Sequence, residues 1–278
     1  MRLMWGDEPR VTGMFSRFDY TDAALTTGER FLKLVEGVDE PETRLPDMPG
    51  WTLVDCLGHV ALAPARFLAL ARGEGEWCRQ AIDVPDFNAK QIANLPTRDV
   101  SVLARQLREG LDILVDTVSH FNAQVPKMRF DGDRLIRADA ALGILIGEFV
   151  VHGHDIARAV GARWWVEPDV VLMIIRGRQQ VLPSWVDPTA AAGHDGTYDI
   201  RLRGCSERYL YEFTDGELTI NPDDPRRAEV HVSVDPAAAL LIGYGRLSPT
   251  WAALTGRAFA WGSKPWLAPR LAQKFLPA

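Results

Sequence analysis

The stretch from Ala138 to Val160 constrains this chain more than any other. It is apolar over most of its length, yet it carries Glu148, His152 and Asp155 together with Gly143, Gly147 and Gly153. On a helix, residues four apart share a face, so Glu148 and His152 can point at one ion without bending the backbone. His154 lies about 200° around the same helix from His152 and falls outside that set. Asp155 does share the His152 face, where it can accept from a ligand imidazole; the plainer alternative is a salt bridge to Arg158. Each glycine costs roughly 1 kcal/mol relative to alanine inside a helix, so three of them imply close packing or room for a ligand.

His59 sits in an earlier apolar stretch, and two imidazoles with one carboxylate make an open ligand set. A His₂Glu centre with one position left for water or substrate is a known catalytic zinc arrangement, whereas structural zinc sites close all four positions with protein. The plainer reading is that these are hydrogen-bonded core residues, with Glu148 and His152 a helix-stabilising pair. Cys56, three residues before His59, either reaches the same site or is a small buried thiol. His120, His194 and His231 stand in separate contexts and read as solvated or structural.

The rest of the chain supplies the partners of that helix. Leu25, Phe31, Leu32 and Val35 give a helical stripe from Asp22 to Val38. Thr52-Leu53-Val54-Asp55 resembles a capping box and opens a second helix, with Pro64 expected to kink it. Gly73 to Pro96 reads as a long connection holding one short helix. Leu103, Leu107, Leu111, Leu114 and Val118 mark a third long helix from Thr97. Four helices of similar length imply a bundle, a fold whose core commonly holds metal ligands from facing helices.

Beyond Gly161 the pattern changes. Glu167 to Val181 looks helical, and strand candidates follow at Tyr198 to Leu202, Tyr209 to Phe213, Leu218 to Ile220 and Val230 to Val234. Asp215-Gly216 is a turn signal between two of them. Asp235-Pro236 opens a small helix and Pro265 a terminal one. At 278 residues two domains are expected: a four-helix bundle over 14–165, then a small α+β domain with an antiparallel sheet over 166–278.

Charge and composition narrow the function. A net charge of −6, with no basic stripe, argues against nucleic acid. Cys56, Cys78 and Cys205 are odd in number and far apart, so the expected setting is a reducing cytoplasm. The N-terminal segment Met1 to Pro9 turns acidic before an apolar core of secretory length forms. The longest apolar run, near Ala140 to Val151, is too short to span a bilayer, so no membrane role is expected. No Gly-x-Gly-x-x-Gly, Walker loop or Gly-x-Ser-x-Gly elbow is present.

Two segments resemble a known family. Pro49-Gly50-Trp51-Thr52-Leu53-Val54-Asp55-Cys56-Leu57-Gly58-His59 and Glu148-Phe149-Val150-Val151-His152-Gly153-His154-Asp155-Ile156-Ala157-Arg158-Ala159 are similar to the metal-site motifs of the mycothiol-dependent maleylpyruvate isomerases, within the DinB-like superfamily. The resemblance implies a DinB-like four-helix bundle and a divalent metal, usually zinc, held by His59, Glu148 and His152. Asp235 to Arg246 and Leu254 to Arg257 look like the C-terminal domain of those proteins, which is related to sterol carrier folds. In the family an arginine of that domain assists catalysis; Arg246 and Arg257 are the alternatives here, and either can instead cap a helix or pair with an acid. The implied chemistry is mycothiol bound as thiolate and delivered to a small electrophile, by isomerisation or S-transfer. Metal-dependent hydrolysis and non-catalytic binding of an apolar ligand are the rival readings.

Overall fold

In a computed structural model, described over residues 15–122 and 125–277, the chain divides into two compact units at 185/186. The N-terminal segment read above and the first residue of the expected bundle domain lie outside the described residues.

The first unit is built on four long helices: α1 (Arg17–Glu36), α2 (Leu53–Ala71), α4 (Val100–Ser119) and α5 (Leu142–Val160), with the short α3 (Val84–Ala93) in the α2–α4 connection. Local chemistry sets their starts. Thr52 accepts from the Asp55 N–H while Asp55 accepts from the Thr52 N–H at 2.8 Å, the expected capping box. Ser16 and Asp19 do the same for α1, and Asp99 caps α4. Helix α2 continues through Pro64. Around the bundle the neighbours run α1, α4, α2, α5 and back to α1. Phe31, Leu57, Leu107 and Phe149 are among the side chains filling the space between them. Among the described residues one helix, α2, is long and apolar enough to cross a membrane; 67% of its most apolar window is buried, as befits the core helix of a bundle.

Helix α6 (Pro168–Gln179) packs on α5 and belongs with the bundle, so the unit ends later than the expected boundary at 165/166. The reason lies in two glycines. A Cβ on Gly143 would overlap the Met173 carbonyl, and one on Gly177 would come within 2.9 Å of the Gly143 backbone, so α5 and α6 touch backbone to backbone. Gly153 likewise leaves room for the Trp164 ring, whose indole N–H donates to the Val150 carbonyl at 2.9 Å. Close packing therefore accounts for both Gly143 and Gly153. A hairpin that the periodicity did not suggest, β1 (Lys127–Phe130) with β2 (Arg134–Arg137), turns through Gly132 and Asp133 at positive φ.

The second unit begins with the one-turn α7 (Pro188–Ala191) and then forms a five-stranded sheet in the order β5-β4-β3-β6-β7. Its strands are β3 (Gly196–Leu202), β4 (Arg208–Thr214), β5 (Glu217–Ile220), β6 (Val230–Val234) and β7 (Ala258–Gly262). Asp215 and Gly216 make the expected turn, both at positive φ. The expected antiparallel sheet is in fact mixed. The chain crosses back after β5 and lays β6 along the open edge of β3 in parallel, and β7, not foreseen as a strand, pairs antiparallel with β6. Tyr198, Leu202, Tyr211, Phe213 and Val230 bury one face. Asp235 caps α8 (Pro236–Gly243), α9 (Pro249–Leu254) follows, and the expected terminal helix is broken into short pieces around α10 (Ala268–Leu271). Helices and a sheet in one chain give the α+β class.

Candidate metal centre

Helices α2 and α5 bring His59, Glu148 and His152 together. Their candidate ligand atoms all lie within 4.8 Å of one another. Glu148 Oε2 is 3.2 Å from His59 Nε2 and 3.1 Å from His152 Nε2, and the two imidazole planes stand at 90° with centroids 5.4 Å apart. The spacing of Glu148 and His152 follows from one helical turn, whereas His59 depends on the packing of α2 beside α5.

Burial shapes the electrostatics. It disfavours the charged carboxylate, but contacts from His152 and His59 outweigh that and hold Glu148 well below the usual carboxylate range. Burial also opposes an imidazolium at His152, yet Cys56, Asp155 and Glu148 around the ring hold its pKa well above the ordinary value. With both Nε2 atoms turned to Glu148, the buried Nδ1 atoms of His59 and His152 have no hydrogen-bond partner of good geometry. For His152 the nearest acceptor is Asp155 Oδ2 at 3.4 Å, and Asp155 is fully buried. These residues fit a metal. Nε2 lone pairs and one carboxylate oxygen are its preferred donors, and moving the imidazole protons to Nδ1 would turn the His152 N–H toward Asp155.

The remaining sequence candidates separate cleanly. Arg158, the alternative partner of Asp155, instead donates to Asp47 at 2.9 and 2.6 Å. His154 is outside the cluster. Cys56 is buried against His152 rather than counted with the ligand set. His120 meets the Asp116 carbonyl, and His194 the Tyr198 hydroxyl. Arg257 pairs with Asp235 at 2.8 Å and Arg246 donates to the Tyr244 carbonyl at 2.6 Å, both within the second unit. Trp51, which spacing alone did not single out, stands edge-on to the His59 ring at 5.4 Å. It also lines an open cavity of about 320 Å³ with Asp55, Ile92, Leu95 and Arg98.

Residues 24–157, which include all three members of the cluster, match the family model described as the mycothiol maleylpyruvate isomerase N-terminal domain. Over this segment the chain is similar to that family. Among solved structures, the mycothiol-dependent maleylpyruvate isomerase is similar with a TM-score of 0.55 and 18% identity, over 84% of this chain and 91% of that chain. A histidine-to-alanine mutant of that isomerase matches with a TM-score of 0.54, at the same identity and coverage. At such identity the likeness to the isomerase structures speaks to fold, and it extends past the family-model segment. No curated protein matches the chain.

Proposed function

We propose that this chain is a zinc-dependent enzyme that uses mycothiol, activating the thiol for addition to a small electrophile, as in isomerisation of an activated alkene, or for S-transfer. The observation that carries the reading is the convergence of two imidazole nitrogens on one carboxylate inside the segment that matches the mycothiol maleylpyruvate isomerase N-terminal domain. His59 and His152 would hold the ion through Nε2, and Glu148 through a carboxylate oxygen. Zinc in such a set keeps a net positive charge and favours a thiolate over a thiol at neutral pH.

The chain's own residues supply the rest. Asp155 would take the Nδ1–H of His152 and fix the tautomer whose Nε2 carries the lone pair. Trp51, edge-on to the His59 ring, would limit its tilt. Arg257 or Arg246 would suit a substrate carboxylate, because the planar fork of a guanidinium matches two oxygens. A hydrolytic reading needs a general base, and Asp155, the nearest candidate, is fully buried. A reducing cytoplasm, where the three cysteines remain thiols, belongs to the same proposal.

The test is a panel of electrophiles assayed with and without mycothiol, before and after chelation. Turnover that needs both thiol and metal is expected. Thiol-dependent turnover that survives complete metal removal overturns the reading; an apolar ligand retained on purification, with no thiol-dependent turnover, replaces it with the binding-protein reading.

A further inference from the structure

A second polar cluster lies on the face of the sheet opposite its buried side, all within residues 186–277. Asp199 on β3 is fully buried. Its Oδ2 accepts from Arg201 Nε and Nη2 at 3.0 and 2.7 Å and lies 2.8 Å from His231 Nδ1, while its Oδ1 accepts from Arg208 Nε at 2.5 Å. Register explains the gathering: Arg201 faces Arg208 across β3 and β4, and Asp199 faces His231 across β3 and β6.

The charges do not balance. Two arginines directly opposed on neighbouring strands repel, and one carboxylate offsets only one of them. Neighbouring acids have cations of their own: Glu212 has Arg226 at 2.8 Å, Glu229 has Lys264 at 2.6 Å, and Asp235 has Arg257. Arg201 and Arg208 have no other acidic partner among the described residues. Arg208 binds Asp199 through Nε, so both terminal nitrogens are left for something else, and its side chain is 53% exposed. A guanidinium edge of this kind matches a carboxylate bidentately. Trp261 on β7 stacks on His231 with 16° between planes and a centroid distance of 5.5 Å, and is itself 44% exposed. Arg201 and His231 meet at the same oxygen, Asp199 Oδ2, so the Arg201 guanidinium lies beside the imidazole end of the stack, with Arg208 at Oδ1 on the β4 side.

We propose that this sheet face is a binding site for an organic carboxylate carried on a planar apolar body. Arg208 and Arg201 take the oxygens and Trp261 flanks the ring. Asp199 is a positioning residue: it orients the two guanidiniums and the imidazole without reaching the ligand. None of its members belongs to the bundle.

Benzoate is a suitable probe, titrated calorimetrically into the full chain beside benzamide, its uncharged counterpart, and inorganic phosphate. One benzoate per chain is expected, with benzamide and phosphate weaker. Arg208→Gln should weaken benzoate roughly tenfold, the cost of losing charge-assisted hydrogen bonds, while His152→Ala leaves it unchanged. If Arg208→Gln does not fold, Arg208→Lys takes its place, keeping the charge and losing the two-nitrogen edge. Absence of benzoate binding at millimolar concentration overturns the proposal, as does binding indifferent to Arg208 or abolished by His152→Ala. Phosphate binding as tightly as benzoate overturns the role given to Trp261.

Discussion

Glu148 in the bundle and Asp199 in the sheet unit are built alike but suit partners of opposite charge. Each is a carboxylate crowded by nitrogen donors, and each has a pKa held below the ordinary range because those contacts outweigh the cost of burial. The difference lies in what the neighbours can give up. Around Glu148 they are imidazoles, which can shed a proton and present a lone pair, so the cluster can accept a cation. Around Asp199 two of the three are guanidiniums, which stay protonated and have no acceptor, so the cluster can only present donors to an anion. Similar geometry thus yields a candidate metal centre in one unit and a candidate carboxylate site in the other.

The most severe way to break the comparison is His152→Ala. Metal content of the purified protein should fall from about one ion per chain toward none, a larger loss than the roughly 10–100-fold expected from a supporting residue. Equal metal in wild type and variant would remove the centre. Asp155→Asn should then fall in that 10–100-fold range of affinity by chelator competition, with helicity intact. An Asn that binds as tightly as the wild type shows that Asp155 does not orient His152.

The third test concerns Asp199. Burial raises its pKa, but hydrogen bonds from Arg201, Arg208 and His231 win and hold it at about 2. A depressed folded pKa means stability that is full above the unfolded value of about 3.9 and is lost as the pH falls through about 2. Asp199→Asn should therefore cost about 2 kcal/mol at pH 7, and the gap between variant and wild type should close on acidification below about pH 4. Urea titrations followed in the C-terminal unit decide it; a gap that does not change with pH means the Asp199 charge is not what stabilises the sheet.

The smallest effect is a proton count. His152 in the metal-free protein has a raised pKa, so its stabilising contribution is full below the unfolded value of about 6.5 and is lost as the pH rises through the folded one. Metal must displace that proton, and addition of a divalent ion at pH 7 should release about one proton per ion. Calorimetric enthalpies that do not vary with the buffer's ionisation heat contradict this.

What was legible in the sequence was local. The Thr52–Asp55 cap and the Glu148–His152 pairing follow from spacings of three and four residues, which helix geometry fixes without tertiary information. His59 joined them through the bundle and the family motifs. Strand β7 was missed because five uncharged residues between helix and proline signals carry little pattern, and the hairpin at 127–137 because Asp131-Gly132 was its main mark. The Asp199 cluster was out of reach for a different reason. Asp199 and His231 meet only because β6 lies parallel to β3 in one register, and a shift of one residue would turn His231 to the opposite face. Helix α6 joined the bundle through Gly143 and Gly177, whose contact is a property of the pair rather than of either helix alone.

Two members of the candidate metal cluster ride on one rigid helix, one turn apart, and the third on its neighbour. The spacing of Glu148 and His152 is fixed by helix rise, so the aperture of the centre has one main adjustable coordinate, the gap between α2 and α5. Evolution can retune such a site from a distance, since a change of side-chain volume anywhere along that seam resets the aperture while leaving all three side chains in place.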